Sequence, residues 1–183
     1  MKVRAVNIGK RVSVPWKNST VETGIFKYPV TSPIYLEKEQ VKHDSVVDTK
    51  VHGGIEKAVY AFGYNHYAHY QSSFPNLDWQ YGMFGENITL DHLDETTVNI
   101  GDVYQLGTSK LEVTQPRQPC FKLGIRFKDQ SVLTTMWNST KTGVYFKVVA
   151  QGIVAIDDSL ICLSKNLNGP SVAAVFLAKR RKK

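Results

Sequence analysis

The sequence predicts a mainly β fold with a few short helices. Short β-branched apolar runs recur along it, Gly and Pro turn signals separate them, and the helices that a doubly wound α/β fold needs between its strands are missing. A length of 183 residues is enough for one well-cored domain. The expected division is residues 1–165 as that domain and 166–183 as a short helix with a disordered basic tail.

Val3 to Ile8 alternates like an opening strand. Ile25 to Lys27 and Val30 to Leu36 follow as less regular strands, limited by Pro29 and Pro33. Ala58 to Phe62 is a strand after the Gly53-Gly54 turn. Asn65 to Ser72 reads as a helix capped by Asn65, with His66 and His69 exposed on it. Val98 to Gly107 reads as strand, tight turn, strand, and Leu111 to Gln115 alternates again. Two short helices are expected at Phe121–Phe127 and Ser131–Trp137, each with an apolar side. Val144 to Ala150 and Ile153 to Leu163 return to strand, and Cys162 within its apolar run is read as core. An internal echo links Ile100-Gly101-Asp102 to Ile156-Asp157-Asp158, each a turn ending in Asp before a strand. Ser171 to Ala178 follows Gly169-Pro170 as a capped terminal helix.

The formal charge is +7, but Lys179, Arg180, Arg181, Lys182 and Lys183 carry five of those charges and leave +2 on the body. No basic stripe remains to read nucleic acid specifically. The N-terminus lacks the apolar core of a signal peptide, and no stretch has the length of a membrane span, so the expected location is the cytoplasm, with free thiols at Cys120 and Cys162.

Three stretches carry candidate chemistry. In Gln115-Pro116-Arg117-Gln118-Pro119-Cys120-Phe121-Lys122-Leu123, a cysteine follows a proline where a helix begins and has cations on both sides. A helix N-terminus and nearby cations stabilise a thiolate, so Cys120 is a candidate ligand or nucleophile. The alternative is a buried small hydrophobe. In Val51-His52-Gly53-Gly54-Ile55-Glu56-Lys57-Ala58-Val59-Tyr60, paired glycines leave backbone N–H groups open to cradle an anion, with His52 and Lys57 adding charge; taken alone, the stretch reads better as a plain Gly-Gly hairpin with exposed polar residues. In Phe84-Gly85-Glu86-Asn87-Ile88-Thr89, Glu86 and Asn87 can orient a ligand, or Gly85 can simply open a turn. The P-loop spacing, a Gly-x-Ser-x-Gly elbow and a zinc set around His66 and His69 are all absent.

In chain order, with the Val51 stretch first, then Phe84-Gly85-Glu86-Asn87-Ile88-Thr89, then Ile100-Gly101-Asp102 and then the Gln115 stretch, they resemble the MOSC domain, most closely the stand-alone bacterial type that includes 6-hydroxylaminopurine reductase. The resemblance runs from the first strand to about Leu163. It implies a β-barrel that binds the molybdenum cofactor (molybdopterin), with Cys120 as metal or sulfur ligand and catalytic residue. His52, Gly53, Gly54, Lys57, Arg117 and Lys122 then become candidates for holding pterin and phosphate, with Glu86, Asn87 and Gln115 behind them. The implied activity is reduction of small N-hydroxylated compounds, with electrons from an external donor such as a flavoprotein reductase. The runner-up is a sulfur carrier or cofactor-delivery protein holding a persulfide on Cys120; a binding barrel without catalysis is the third. A homodimer is compatible with the chain, and no pyridoxal-phosphate site is expected. The type usually shows Gly-Asp near the end of the barrel, where this chain has Asp157-Asp158.

Overall fold

Alternation of side chains along two central strands creates two cores, and the candidate site lies where they meet. The computed structural model describes residues 1–47 and 53–181. Its strands are β1 Val3–Gly9, β2 Val12–Trp16, β3 Ser19–Thr23, β4 Lys27–Val30, β5 Ile34–Leu36, β6 Val59–Gly63, β7 Ile88–Leu90, β8 Val103–Leu106, β9 Ser109–Pro116, β10 Val144–Ala150, β11 Gly152–Val154 and β12 Leu160–Ser164. Its helices are α1 Tyr67–Gln71, α2 Phe121–Phe127, α3 Ser131–Trp137 and α4 Val172–Arg180.

Eight strands form one sheet in the order β12-β8-β9-β10-β6-β7-β1-β4, antiparallel except for β6 and β7. β6 is buried on both faces: Val59 and Ala61 join an aliphatic core with Val6, Ile88, Leu111 and Phe146, while Tyr60 and Phe62 join an aromatic one. β10 divides its side chains the same way, sending Val144 and Phe146 to the first core and Tyr145 to the second. α2 and α3 close the aromatic core with Leu123, Phe127, Val132 and Met136, the apolar sides expected from their spacing.

The fold is mainly β, as expected, but the ladder order leaves β12 and β4 as edges rather than closing a barrel. A single bridge, Lys2 to Ser159, ties the start of β1 to the approach to β12, supported by backbone bonds from Val3 N to Asp158 O (2.8 Å) and Leu160 N to Met1 O (2.8 Å). The internal echo has a physical basis. Gly101 and Asp157 both have positive φ (86° and 69°), and the aspartate after each accepts a hydrogen bond from the N–H three residues back: Asn99 to Asp102 (2.8 Å), Ala155 to Asp158 (2.7 Å). The strands that follow, β8 and β12, pair with one another.

Several expectations are corrected. Cys162 is exposed, because β12 is an edge strand with no layer over its outer face. Only Val103–Leu106 of the Val98–Gly107 run is strand. Asn65 does not cap a helix; its amide exchanges hydrogen bonds with the Leu93 backbone (both 3.0 Å), and a 3₁₀ turn at Tyr64–His66 precedes α1. His66 is buried rather than exposed, bonded through Nε2 to Glu95 at 2.8 Å. Lys179 and Arg180 belong to α4, whose N-cap Ser171 accepts from Ala174 N as expected; Lys182 and Lys183 lie outside the described residues. The hairpin β2–β3, a separate two-stranded sheet, was not foreseen from the sequence. Among the described residues no helix is long and apolar enough to cross a membrane.

Asp102 should set the acid stability of the β8–β12 end. Burial pushes its carboxyl up, but hydrogen bonds from Lys165 and the Asn99 and Asn166 N–H groups hold it below the ordinary 3.8. A depressed carboxyl stabilises above its unfolded pKa and loses that contribution as pH falls through the folded value. Asp102→Asn should therefore cost about 2–3 kcal/mol near neutrality, with the difference shrinking below about pH 4 in urea titrations. At the second echo turn, Asp157→Gly should be neutral or slightly stabilising in thermal melts. Asp157→Val should cost roughly 1–2 kcal/mol, because a β-branched residue resists positive φ.

Candidate functional site

Pro119 and Cys120 close the run from β9 into α2, and Cys120 has the extended backbone of an N-cap (φ −130°, ψ 162°). Its carbonyl accepts from Leu123 N at 2.9 Å, and its free thiol sits partly buried in a pocket shared with Arg117 and Lys122. The facing walls bring Lys27, Lys57, Tyr60, Asn87 and Tyr145 to the same cavity, and Thr23, Gly24 and Ile25 form one side.

A row of side chains across the sheet makes the floor. Gln115 lies opposite Tyr145 and Tyr145 opposite Tyr60, while Tyr60 O accepts from Asn87 N (2.8 Å) and Tyr60 N donates to Asn87 Oδ1 (3.3 Å). Opposed residues leave a sheet on one face, which is why three strands contribute to one wall. Tyr60 and Tyr145 rings are 5.1 Å apart, and burial raises the pKa of both phenols, so they stay neutral. The Tyr60 hydroxyl donates to Thr142 O (2.7 Å).

Arg117 is the dominant charge. It is 5% exposed, its guanidinium carbon stands 4.9 Å from the Tyr60 ring centre, and its Nε is buried without a hydrogen-bond partner. Burial opposes its charge, yet the surrounding Tyr145, Tyr60 and Cys120 hold its pKa above the ordinary arginine value. No carboxylate forms an ion pair with it among the described residues. Lys27, 6% exposed, pairs with Asp44; burial pulls its pKa down against that partner, and Arg117 adds to the pull. Asp44 also accepts from Asn87 Nδ2 (2.9 Å) and Gly9 N (2.8 Å).

The site residues expected from the sequence separate into groups. Cys120, Arg117, Lys122, Lys57 and Asn87 come together in this pocket. Gly53 and Gly54 line a neighbouring depression with Glu37 to Gln40, sharing Val46 with the main pocket. Gln115 belongs to the floor row but does not line the cavity. Glu86 is turned away, fully buried, accepting from the Tyr67 hydroxyl (2.6 Å), Gly82 N (2.9 Å), Phe84 N (3.0 Å) and the Thr89 hydroxyl (2.9 Å). Burial raises its pKa while those bonds oppose the rise; its work is to fold the loop that carries Gly85 and Asn87. His52 lies outside the described residues. Sequence reasoning missed Lys27, Tyr60, Tyr145 and Gly85. Gly85 takes φ 78°, and a Cβ there would meet Ile25 at 3.0 Å and Arg117 at 3.7 Å. Its glycine was the available signal for Gly85, and the motif that runs from Val51 to Tyr60 was the signal for Tyr60; nothing local marked Lys27 or Tyr145.

The MOSC domain model matches residues 48–161, which include Lys57, Tyr60, Asn87, Arg117, Cys120 and Tyr145 of this pocket. The chain belongs to the MOSC family. It is 35% identical over 170 residues to the uncharacterised protein YflK of Bacillus subtilis (strain 168), covering 93% of this chain and 76% of that one. A protein named reductase from Gibberella moniliformis is 30% identical over 148 residues, which make 79% of this chain and 26% of the fungal protein. The crystal structure of YiiM from Geobacillus stearothermophilus superposes with a TM-score of 0.81 at 26% identity, over 99% of this chain and 84% of that one. The YiiM-like kind of MOSC protein is therefore what this chain most resembles in sequence and fold together.

Two outcomes should separate the binding residues from the supporting ones. Arg117→Met removes a buried cation that no carboxylate pairs, so its melting temperature should equal or exceed wild type. The rise of a few degrees that saturating inorganic phosphate gives wild type should vanish in it. Glu86→Ala strands four donors and should cost about 3 kcal/mol, a fall of roughly 6–12 °C in the melting temperature by calorimetry.

Proposed function

We propose that this MOSC protein binds the molybdenum cofactor and reduces small N-hydroxylated compounds to the corresponding amines. The observation that carries the reading is Arg117, a buried cation that has an unpartnered Nε and no ion-paired carboxylate among the described residues, in one cavity with the Cys120 thiol. A protein keeps a charge buried this way when a ligand of opposite charge completes it. The donor set fits the cofactor: a soft thiolate suits molybdenum, and a cation-lined wall suits a phosphate-bearing pterin. The family membership and the reductase name of the fungal relative support the same reading.

The cofactor, when bound, supplies two-electron chemistry at the metal. Removing the oxygen breaks the N–O bond and consumes two electrons and two protons, leaving amine and water. The protein's residues do the rest. Cys120 Sγ would ligate the metal, and the N-cap backbone holds that sulfur at the end of a rigid helix. Arg117 would hold the anionic part of the cofactor at the base of the cavity, Lys57 and Lys122 would bind at its sides, and Lys27, neutralised by Asp44, would line the wall. The neutral rings of Tyr60 and Tyr145 keep one wall dry, which strengthens each charge–charge contact inside. Electrons would come from an outside donor of the flavoprotein reductase class.

The test is molybdenum content by elemental analysis, with wild type and Cys120→Ala purified from a host that makes the cofactor. Near-stoichiometric metal in wild type and loss of most of it in the variant are expected, followed by turnover of an N-hydroxylated purine with an artificial donor. A folded wild type without metal that carries an extra sulfur on Cys120 by mass spectrometry would instead establish the sulfur-carrier activity.

A further inference from the structure

The β2–β3 hairpin is the part of the molecule that neither the fold nor the proposed chemistry accounts for. It belongs to neither core and pairs with no strand of the main sheet. Its register, Val12 with Thr23, Val14 with Val21 and Trp16 with Ser19, puts Val14, Trp16, Val21 and Thr23 on one face. That face is the less exposed one, while Ser13, Pro15, Thr20 and Glu22 on the other face are solvent-exposed.

The two ends of the hairpin touch opposite walls of the site. At its base, Thr23 is 2% exposed and, with Gly24 and Ile25, lines the pocket. From there β3 runs four residues to Ser19, roughly 13 Å at about 3.3 Å per residue. At its tip, the Trp16 ring packs on Phe121 with centroids 5.5 Å apart. Phe121 sits between Cys120 and Lys122, both of which line the pocket, and it is itself 37% exposed. The hairpin therefore runs from Thr23, which lines the pocket, to an aromatic pair whose Phe121 is the chain neighbour of Cys120 and Lys122. Lys17, with φ 52°, places its ammonium 5.9 Å from the Trp16 ring, adding a cation at the same edge.

An incompletely covered tryptophan and phenylalanine beside a reactive thiol have a chemical match in a flat ring. Aromatic faces bind planar heteroaromatic molecules by stacking and offer little to an aliphatic chain of the same polarity. We propose that the β2–β3 hairpin is the recognition flap of this site, in which Trp16, backed by Phe121, stacks on the flat ring of the substrate and presents its N-hydroxyl group toward Cys120. This assignment rests on the proposed reduction for the hydroxyl group, but the stacking itself does not require metal.

The experiment is titration calorimetry of metal-free protein with 6-hydroxylaminopurine, adenine and N-methylhydroxylamine, on wild type, Trp16→Ala, Trp16→Phe and Phe121→Ala. Both ring compounds should bind wild type more tightly than the ring-free one. Trp16→Ala should weaken ring binding roughly tenfold, Phe121→Ala should weaken it less, and Trp16→Phe should restore most of it. Far-ultraviolet circular dichroism confirms that the tip variants are folded. Equal affinities of Trp16→Ala and wild type for the purines, or no ring binding by wild type, overturn the assignment. In loaded protein, Trp16→Ala should raise KM for the hydroxylated purine far more than it lowers kcat; an unchanged KM also overturns it. The two readings fail separately: Trp16-dependent ring binding without turnover removes the reductase and keeps the flap, and turnover indifferent to Trp16 does the reverse.

Discussion

The site depends on one buried carboxylate. Asp44 receives the Lys27 ammonium, the Asn87 amide and the Gly9 N–H, and so joins β1, β4, the loop before β7 and the segment 44–47 that carries Val46 and Val47 to the cavity. Lys27 and Asp44 side chains are 7% and 1% exposed, so neither charge could be buried alone without losing several kcal/mol of hydration. Hydrogen bonds to the remaining oxygen positions of Asp44 are what make such a buried pair tolerable.

That pair neutralises one of the two buried cations of the pocket and leaves the other. Arg117 keeps its charge over the Tyr60 face, and the cavity remains positive at its base. Glu86, the nearest buried carboxylate in sequence to this wall, could in principle offset it. Its two oxygens are instead consumed by the loop that Gly82, Phe84 and Thr89 form around it. Positive potential in the pocket is thus a consequence of which donors each carboxylate satisfies, and it is what an anionic cofactor would meet.

Much of the fold was legible. The period-two runs that became β1, β6, β9 and β10 are strands because one or both of their faces are buried, and burial is what period reports. The helices α2, α3 and α4 follow from apolar spacing and from Ser171 as a cap. The β2–β3 hairpin was not visible, because its inward face is only half-buried apart from Thr23, too little cover to impose a strong pattern. Cys162 was misread for the converse reason: Leu160-Ile161-Cys162-Leu163 looks buried, but apolar composition does not reveal that a strand is at an edge. His66 and His69, three apart on a short helical stretch, looked equivalent, and only the position of Glu95 separates them.

By itself the sequence determined the alternation that makes a β-rich domain, the motif order that marks a MOSC chain and the candidate cysteine at a helix start. Each is a local property, readable from neighbours a few residues apart. Tertiary structure alone decided that Lys27, Tyr60 and Tyr145 share a cavity with Cys120, that Glu86 supports a loop instead of facing it, and that Trp16 reaches Phe121. The cavity and the Trp16–Phe121 contact join residues separated by tens of positions along the chain, and even the Glu86 network closes through Tyr67, nineteen residues away. Strand order and register create them, and no local pattern of residue types encodes strand order.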